Sequence, residues 1–320
     1  MSLFPRCIFL KLRQTDKEYS VDFEIYHDES KANGYWHGML LVPTVTKENL
    51  LHLLAKARNT TNYRGQISFK NIRGSGNCYE CQRIWVQLAL LGLRSRLGRS
   101  PGIVDWGKLN PYETRFENID KVIGLKFILF REIDNLTKMS NLLDFGGKVE
   151  TTFRMGIKGG LHYLGSESNP INITKIHFDG HEHYRRRINH ERLINRLYDL
   201  RSYVTISESN DLIDDRSSKA NTEDSQLPED CEFLQLTDLI IGSFRSGLIG
   251  QANIFKNQIS YPIISLLERY TKGYARMRNS RWANSLCISQ CYLSSGKWHF
   301  ETIDIEEKIS NLQPPLPFLN

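Results

Sequence analysis

Val21-Asp22-Phe23-Glu24-Ile25-Tyr26-His27-Asp28 alternates apolar and polar side chains and runs into the turn residues Ser30 to Gly34. A period of two is that of a β-strand, so Val21, Phe23 and Ile25 belong on one face and Asp22, Glu24, Tyr26 and Asp28 on the other. Asp28 closes this strand. Tyr35 to Val42, ended by Pro43, forms a second strand, giving a β-hairpin whose loop is too long for a tight turn. Beyond it, Leu50, Leu53, Leu54 and Ala57 stand at helical spacing within Lys47 to Arg58. Gln66 to Ile72 reads as a short strand with Lys70 near its end, and Gly74 and Gly76 release the chain into a helix over Tyr79 to Leu93.

The opening pattern returns far downstream. In Ile171 to Asp179, Ile176 and Phe178 alternate with Lys175, His177 and Asp179, a strand that again ends in aspartate and is followed by Gly180. An amphipathic helix over Asn189 to Arg201 and a strand over Tyr203 to Ser207 follow. Residues 208 to 230 are polar and read as a flexible excursion. Pro228, Glu229, Asp230 and Glu232 suit a helix start, because acidic groups offset the positive end of the helix dipole. That helix runs to about Gly247 and is apolar almost all round, with Asp238 in its middle. Val122 to Phe130 fits either a strand or a buried helix. Thr151 to Leu164 fits a helix weakened by Gly156, Gly159 and Gly160. Residues 251 to 320 supply helices at Ile263 to Tyr270 and Arg281 to Ser289, a strand containing Trp298, and a Pro-rich tail.

With 320 residues, 40% apolar and 24% charged, the chain has ordinary globular composition. No apolar run approaches the roughly 18 to 20 residues needed to cross a bilayer, and Pro5 and Arg6 interrupt the first ten residues, so a cytoplasmic protein away from membranes is expected. The six cysteines read as reduced thiols, since Cys78-x-x-Cys81 and Cys287-x-x-x-Cys291 do not make a zinc-type pattern. A formal charge of +6, with Arg185, Arg186 and Arg187 adjacent, favours a polyanionic partner. Neither a Walker lysine loop nor a G-x-G-x-x-G turn is present, which disfavours nucleoside triphosphates and dinucleotides.

Three aspartates carry the chemical expectation. An ionised Asp238 in an apolar helix costs several kcal/mol unless a cation, a donor network or a metal meets it. Asp28 and Asp179 end strands, where ligands gather in α/β sheets, and neighbouring strands lie about 4.8 Å apart, so both carboxylates can share one ion. Turn capping is the plain alternative for each. Oxygen-only ligands suit Mg²⁺ or Mn²⁺, and a pair of such ions roughly 3.5 to 4 Å apart can activate water for phosphodiester cleavage.

Two segments also carry a resemblance. Asp28-Glu29-Ser30 and Leu234-Gln235-Leu236-Thr237-Asp238-Leu239-Ile240-Ile241-Gly242 resemble the domain-of-unknown-function family 3800, whose signatures read Asp-Glu-Ser and Leu-Gln-Leu-Ala-Asp-Leu-Ile-Ala-Gly. Ser68-Phe69-Lys70 and Phe178-Asp179-Gly180 resemble its lysine strand and central aspartate. The resemblance implies an α/β protein with a ribonuclease-H-like mixed sheet flanked by helices. It also implies a metal-dependent nuclease acting on RNA or DNA, in a bacterial, anti-phage defence setting with a possible partner protein. Carried over by position, Asp28, Asp179 and Asp238 would be metal ligands, Glu29 a fourth carboxylate or an orienting group, and Lys70 a phosphate contact. Thr237 departs from the family's alanine. His183, Arg185, Arg186 and Arg187 are the expected nucleic-acid contacts, with His183 also a candidate proton shuttle. The implied organisation is a catalytic domain over 1 to 250, with insertions near 100 to 165 and 208 to 230, and a helical C-terminal extension over 251 to 320 packed on it. The competing expectation is a non-catalytic nucleic-acid-binding or protein-interaction module on the same scaffold.

Overall fold

β1 (Val21–Ser30) and β2 (Tyr35–Pro43) form the expected antiparallel hairpin, with Tyr26 opposite Leu40 and Asp28 opposite Gly38. Asn33 and Gly34 turn the chain with φ of 52° and 117°, a region that side chains disfavour and that Asn and Gly tolerate best. The computed structural model describes residues 21–94, 124–134, 137–139, 141, 143–167, 170–179, 189–197, 203–207, 212–216, 229–250, 252–272 and 285–302.

β2 also pairs antiparallel with β3 (Lys126–Glu132), while β1 pairs in parallel with β4 (Ile171–Asp179). β5 (Val204–Ile206) and β6 (Ile213–Arg216) lie parallel to the first and second halves of β4. On the far side β7 (Leu286–Ser294) runs parallel to β3 and turns back as β8 (Lys297–Thr302). Among the described residues the result is one eight-stranded mixed sheet in the order β5-β4-β1-β2-β3-β7-β8, with β6 beside β4.

Among the described residues, six helices cover it: α1 (Thr44–Thr61), α2 (Asn77–Arg94), α3 (Phe145–Leu164), α4 (His190–Leu197), α5 (Glu229–Ile249) and α6 (Ile254–Lys272). The alternation in β1 decides which helices meet which face. Phe23 and Ile25 join a core with Phe153, Ile157 and Leu161 of α3 and Leu193 of α4. Tyr26 joins a larger core on the opposite face, built with α1, α2, α5 and α6. α5 buries Phe233, Leu234, Leu236, Leu239, Ile240, Ile241 and Phe244, each contributing roughly 1.5 to 3 kcal/mol, so the helix carrying Asp238 is firmly seated.

Several expectations need correction. Gln66 to Ile72 is not a strand: Phe69–Asn71 is a single 3₁₀ turn, and side chains of α5 bond the backbone there in place of a neighbouring strand. The excursion over 208 to 230 contains β6. The stretch near 100 to 165 is no mere insertion, because β3 stands between β2 and β7 in the sheet. Nor is 251 to 320 a helical extension: Leu286–Ser289, expected as part of a helix, starts β7, whereas the Trp298 strand is present as β8. Gly156 and Gly160 are close-approach positions, where an added Cβ would stand 2.8 Å from Phe130 Cβ and 2.5 Å from Ile128 Cδ1. Their bareness lets α3 lie directly on β3. Cys287 and Cys291, four residues apart on one strand, are roughly 13 Å apart and cannot share an ion.

Candidate active site

The parallel register of β1 and β4 brings the strand-end aspartates together. Tyr26 pairs with His177 and His27 with Phe178, so Asp28 and Asp179 stand one step further along neighbouring strands. Tyr26 and His177, two residues behind on the same face, stack with ring centroids 4.5 Å apart and planes 3° from parallel. α5 crosses this face. Phe233 packs on the Tyr26 ring with centroids 4.8 Å apart, and the Thr237 hydroxyl, which donates to the Phe233 carbonyl at 2.8 Å, lies 3.4 Å from the Tyr26 carbonyl, so the adjacent Asp238 is close to the strand ends.

Two glycines allow that approach. A Cβ on Gly38 would lie 2.1 Å from Ile241 Cγ1, and one on Gly242 would lie 2.0 Å from Phe69 Cγ. Any larger residue would lift α5 from β2 or drive the 65–69 segment away.

The three carboxylates are in electrostatic contact. Burial raises the Asp28 carboxyl well above the usual range, the charges of Asp238 and then Asp179 raise it further, and the Glu29 amide, 2.7 Å from Asp28 Oδ1, opposes them. Burial also raises Asp238, against hydrogen bonds from the Ser68 hydroxyl and from the Phe69 amide at 2.8 Å. Asp179 raises it further and Arg245 lowers it. Asp28 is 8% exposed, whereas Asp179 and Asp238 keep intermediate exposure, so the cluster opens to solvent on the side of those two.

A stripe on α5 explains why Asp238 sits where it does. Glu232, Gln235 and Asp238, three residues apart, all face the 58–69 region. Arg58 donates to Glu232 at 2.8 Å and to Gln235 at 3.2 Å, Gln235 accepts from the Ile67 amide at 2.6 Å, and Asp238 accepts from Phe69. Asp238 is therefore met by a donor network, one of the partners its apolar surroundings required.

Behind the acids lies a second polar group on the same face. Burial alone would raise the Glu24 carboxyl, but hydrogen bonds from His177, Lys47 and Tyr26 bring it down to about 2. His177 Nε2 lies 2.9 Å from Glu24, tying β1 to β4 in a fixed floor, while its Nδ1 stands 3.6 Å from Asp214 of β6 without a hydrogen bond.

The other expected residues divide. Glu29 follows Asp28 by one position and so points to the α3 face, where it accepts a hydrogen bond from the Tyr35 hydroxyl. It reaches Asp28 as a charge and through its backbone amide and does not join the three aspartates as a ligand. Lys70 is exposed on the 3₁₀ turn next to Phe69. His183, Arg185, Arg186 and Arg187 lie outside the described residues. Two cations that no sequence motif marks border the cluster. Arg245, seven residues after Asp238, contacts Ser30 Oγ, and Lys256 of α6 lies over the Phe69 ring at 5.4 Å. The i to i+7 spacing on α5 was the available signal for Arg245.

The donor set is acidic and all oxygen, which fits a hard divalent cation. As placed, no three His, Cys, Asp or Glu side chains among the described residues converge tightly enough to ligate one ion. No helix among the described residues is long and apolar enough to cross a membrane. No protein-family profile, curated protein or solved structure matches the chain.

Proposed function

We propose that this chain is a Mg²⁺- or Mn²⁺-dependent nuclease that hydrolyses phosphodiester bonds of RNA or DNA, built on a ribonuclease-H-like sheet of the family 3800 type. The observation that carries the proposal is the mutual electrostatic contact of Asp28, Asp179 and Asp238, which are distant in sequence and meet at the ends of two parallel strands under α5. Like charges in a partly buried place are costly, and such clusters concentrate at functional sites. The strand order β5-β4-β1-β2-β3, with β2 antiparallel to both neighbours, supports the ribonuclease-H-like reading.

Asp28, Asp179 and Asp238 would hold the metal, which when bound supplies an activated water and charge compensation at the phosphate. The Glu24–His177 floor fixes the level of the two strand ends. The Phe69 amide holds Asp238 Oδ2, and the Ser68 hydroxyl gives the carboxylate a second donor, which fixes its orientation. Burial keeps Asp28 short of water, which strengthens any charge it meets.

A second reading, a non-catalytic module that binds nucleic acid or protein, is favoured by the hydrogen bonds that already satisfy Asp238. Purified protein should be incubated with labelled single- and double-stranded RNA and DNA in Mg²⁺, Mn²⁺ or EDTA, alongside Asp28→Asn, Asp179→Asn and Asp238→Asn. The nuclease reading expects metal-dependent cleavage that each variant loses while staying folded. Cleavage at wild-type rate in all three variants, or salt-sensitive binding with no cleavage in either metal, would overturn it.

A further inference from the structure

Arg245 and Lys256 approach Asp238 from two directions. Arg245 sits two helical turns past Asp238 on the same stripe of α5, and its Nη1 donates to Ser30 Oγ, two residues beyond Asp28 on the same side of β1. Lys256 lies in the first turn of α6, with Nζ 5.4 Å from the centre of the Phe69 ring, the residue whose amide holds Asp238 at 2.8 Å. One cation therefore stands over the end of β1 and the other over the 65–69 segment, with Asp238 the charge that attracts both.

Asp238 does not fully offset the burial of these two cations. Burial lowers the Arg245 guanidinium and the Lys256 ammonium, and the charge of Arg245 lowers Lys256 further. A cation in the first turn of a helix also meets the positive end of its dipole. A planar guanidinium fork and an ammonium that both feel Asp238 suit a tetrahedral oxyanion, the first through the N–H groups that Ser30 does not take and the second as a point charge.

We propose that Arg245 and Lys256 form a phosphate-binding rim of the acid cluster, seating a backbone phosphate of a nucleic-acid strand beside Asp238. The assignment rests on the nuclease reading for the identity of the ligand and fails separately from it.

The test is equilibrium binding of a fluorescent single-stranded oligonucleotide of about twelve nucleotides, in EDTA so that cleavage cannot consume the probe, across a salt series. Wild type should bind with a salt slope that Arg245→Gln and Lys256→Gln each reduce by about 0.7, the value per neutralised phosphate on single strands. Each should weaken binding several-fold, and Arg245→Lys, which keeps the charge, should retain most of the slope. Lys256 is the more exposed of the two, so its variant reports even if Arg245→Gln folds poorly. Unchanged slopes in both Gln variants, or no binding by wild type, overturn the rim. If wild type cleaves and the slopes are unchanged, the rim falls and the nuclease stands. If the slopes drop and no metal supports cleavage, the nuclease falls and the rim stands.

Discussion

Acid should destabilise this fold through one buried pair. His27 and His37 lie on the α3 side of the sheet, His37 fully buried and His27 3% exposed, with His27 Nε2 2.9 Å from His37 Nδ1 and His37 Nε2 2.7 Å from Thr152 Oγ1. The Thr152 hydroxyl lies within reach of the Lys148 and Val149 carbonyls as a donor, at 3.2 and 3.0 Å. It therefore accepts from His37 Nε2–H, which leaves His37 Nδ1 to accept from His27 Nε2–H. This tautomer assignment follows from the network. A proton on His37 Nδ1 would set two N–H groups head to head. Accordingly, burial takes His37 down to about 3, while burial and then the charge of His37 take His27 well below its usual value.

In the unfolded chain both titrate near 6.5. The stability they confer is complete above that value and is lost as pH falls toward the folded values, at about 1.4 kcal/mol per pH unit per histidine. Between pH 7.5 and 5.0 the integrated loss is about 2 kcal/mol each, or about 4 kcal/mol together, a large part of the roughly 5 to 15 kcal/mol that holds a domain together. The aspartates act in the opposite sense. Asp28 and Asp238 are raised in the fold, so falling pH relieves their repulsion as it passes through their folded values. Urea denaturation at steps from pH 7.5 to 5.0 should show falling stability in wild type, a steeper fall in Asp28→Asn, and a flatter profile in His27→Phe/His37→Gln. A wild-type profile that coincides with that of the double histidine variant would refute the reasoning.

At neutral pH, Asp28→Asn should raise the thermal midpoint, because it removes one of three like charges held together, and on the nuclease reading it also abolishes cleavage; a lowered midpoint by calorimetry would count against this. Gly242→Ala places a Cβ 2.0 Å from Phe69 Cγ, so ring or helix must yield by about 1.5 Å, at a cost of about 1 to 3 kcal/mol by urea denaturation. Arg58→Ala leaves the Glu232 carboxylate, 2.8 Å from the lost guanidinium, unpaired in a largely buried place and should cost about 3 to 5 kcal/mol. Replacing both residues, by Met and Leu, should recover most of that loss in the same measurement.

Much of this architecture is legible in periodicity. The β1 alternation assigns both faces correctly, because each face buries against its own layer of helices. The same parity also decides Glu29, since a residue next to Asp28 on a strand points away from it. β7 was lost for the opposite reason: Leu-Cys-Ile-Ser-Gln-Cys is buried on both faces, and a parallel strand between two helical layers carries no alternation to read. The 65–69 segment resembles a strand because Ile67 and Phe69 alternate with Gln66 and Ser68, yet its partners are the side chains of Gln235 and Asp238, which no local pattern records. Asp238 stood out in sequence by being stranded among apolar neighbours. Arg245 and Lys256 did not, since charges near helix ends are usually solvated.

The place of β7 has a consequence for how the chain is made. The outer edge of β3, complete at Glu132, waits for a partner that starts at Leu286, about 150 residues later. At typical synthesis rates of roughly 5 to 20 residues per second, that edge is left open on the ribosome for about 8 to 30 s. An unpaired strand edge is a template for other chains. Ribosome-bound chains halted shortly before Leu286 should therefore be more aggregation-prone than the finished protein, and release of β7 the step that ends this exposure.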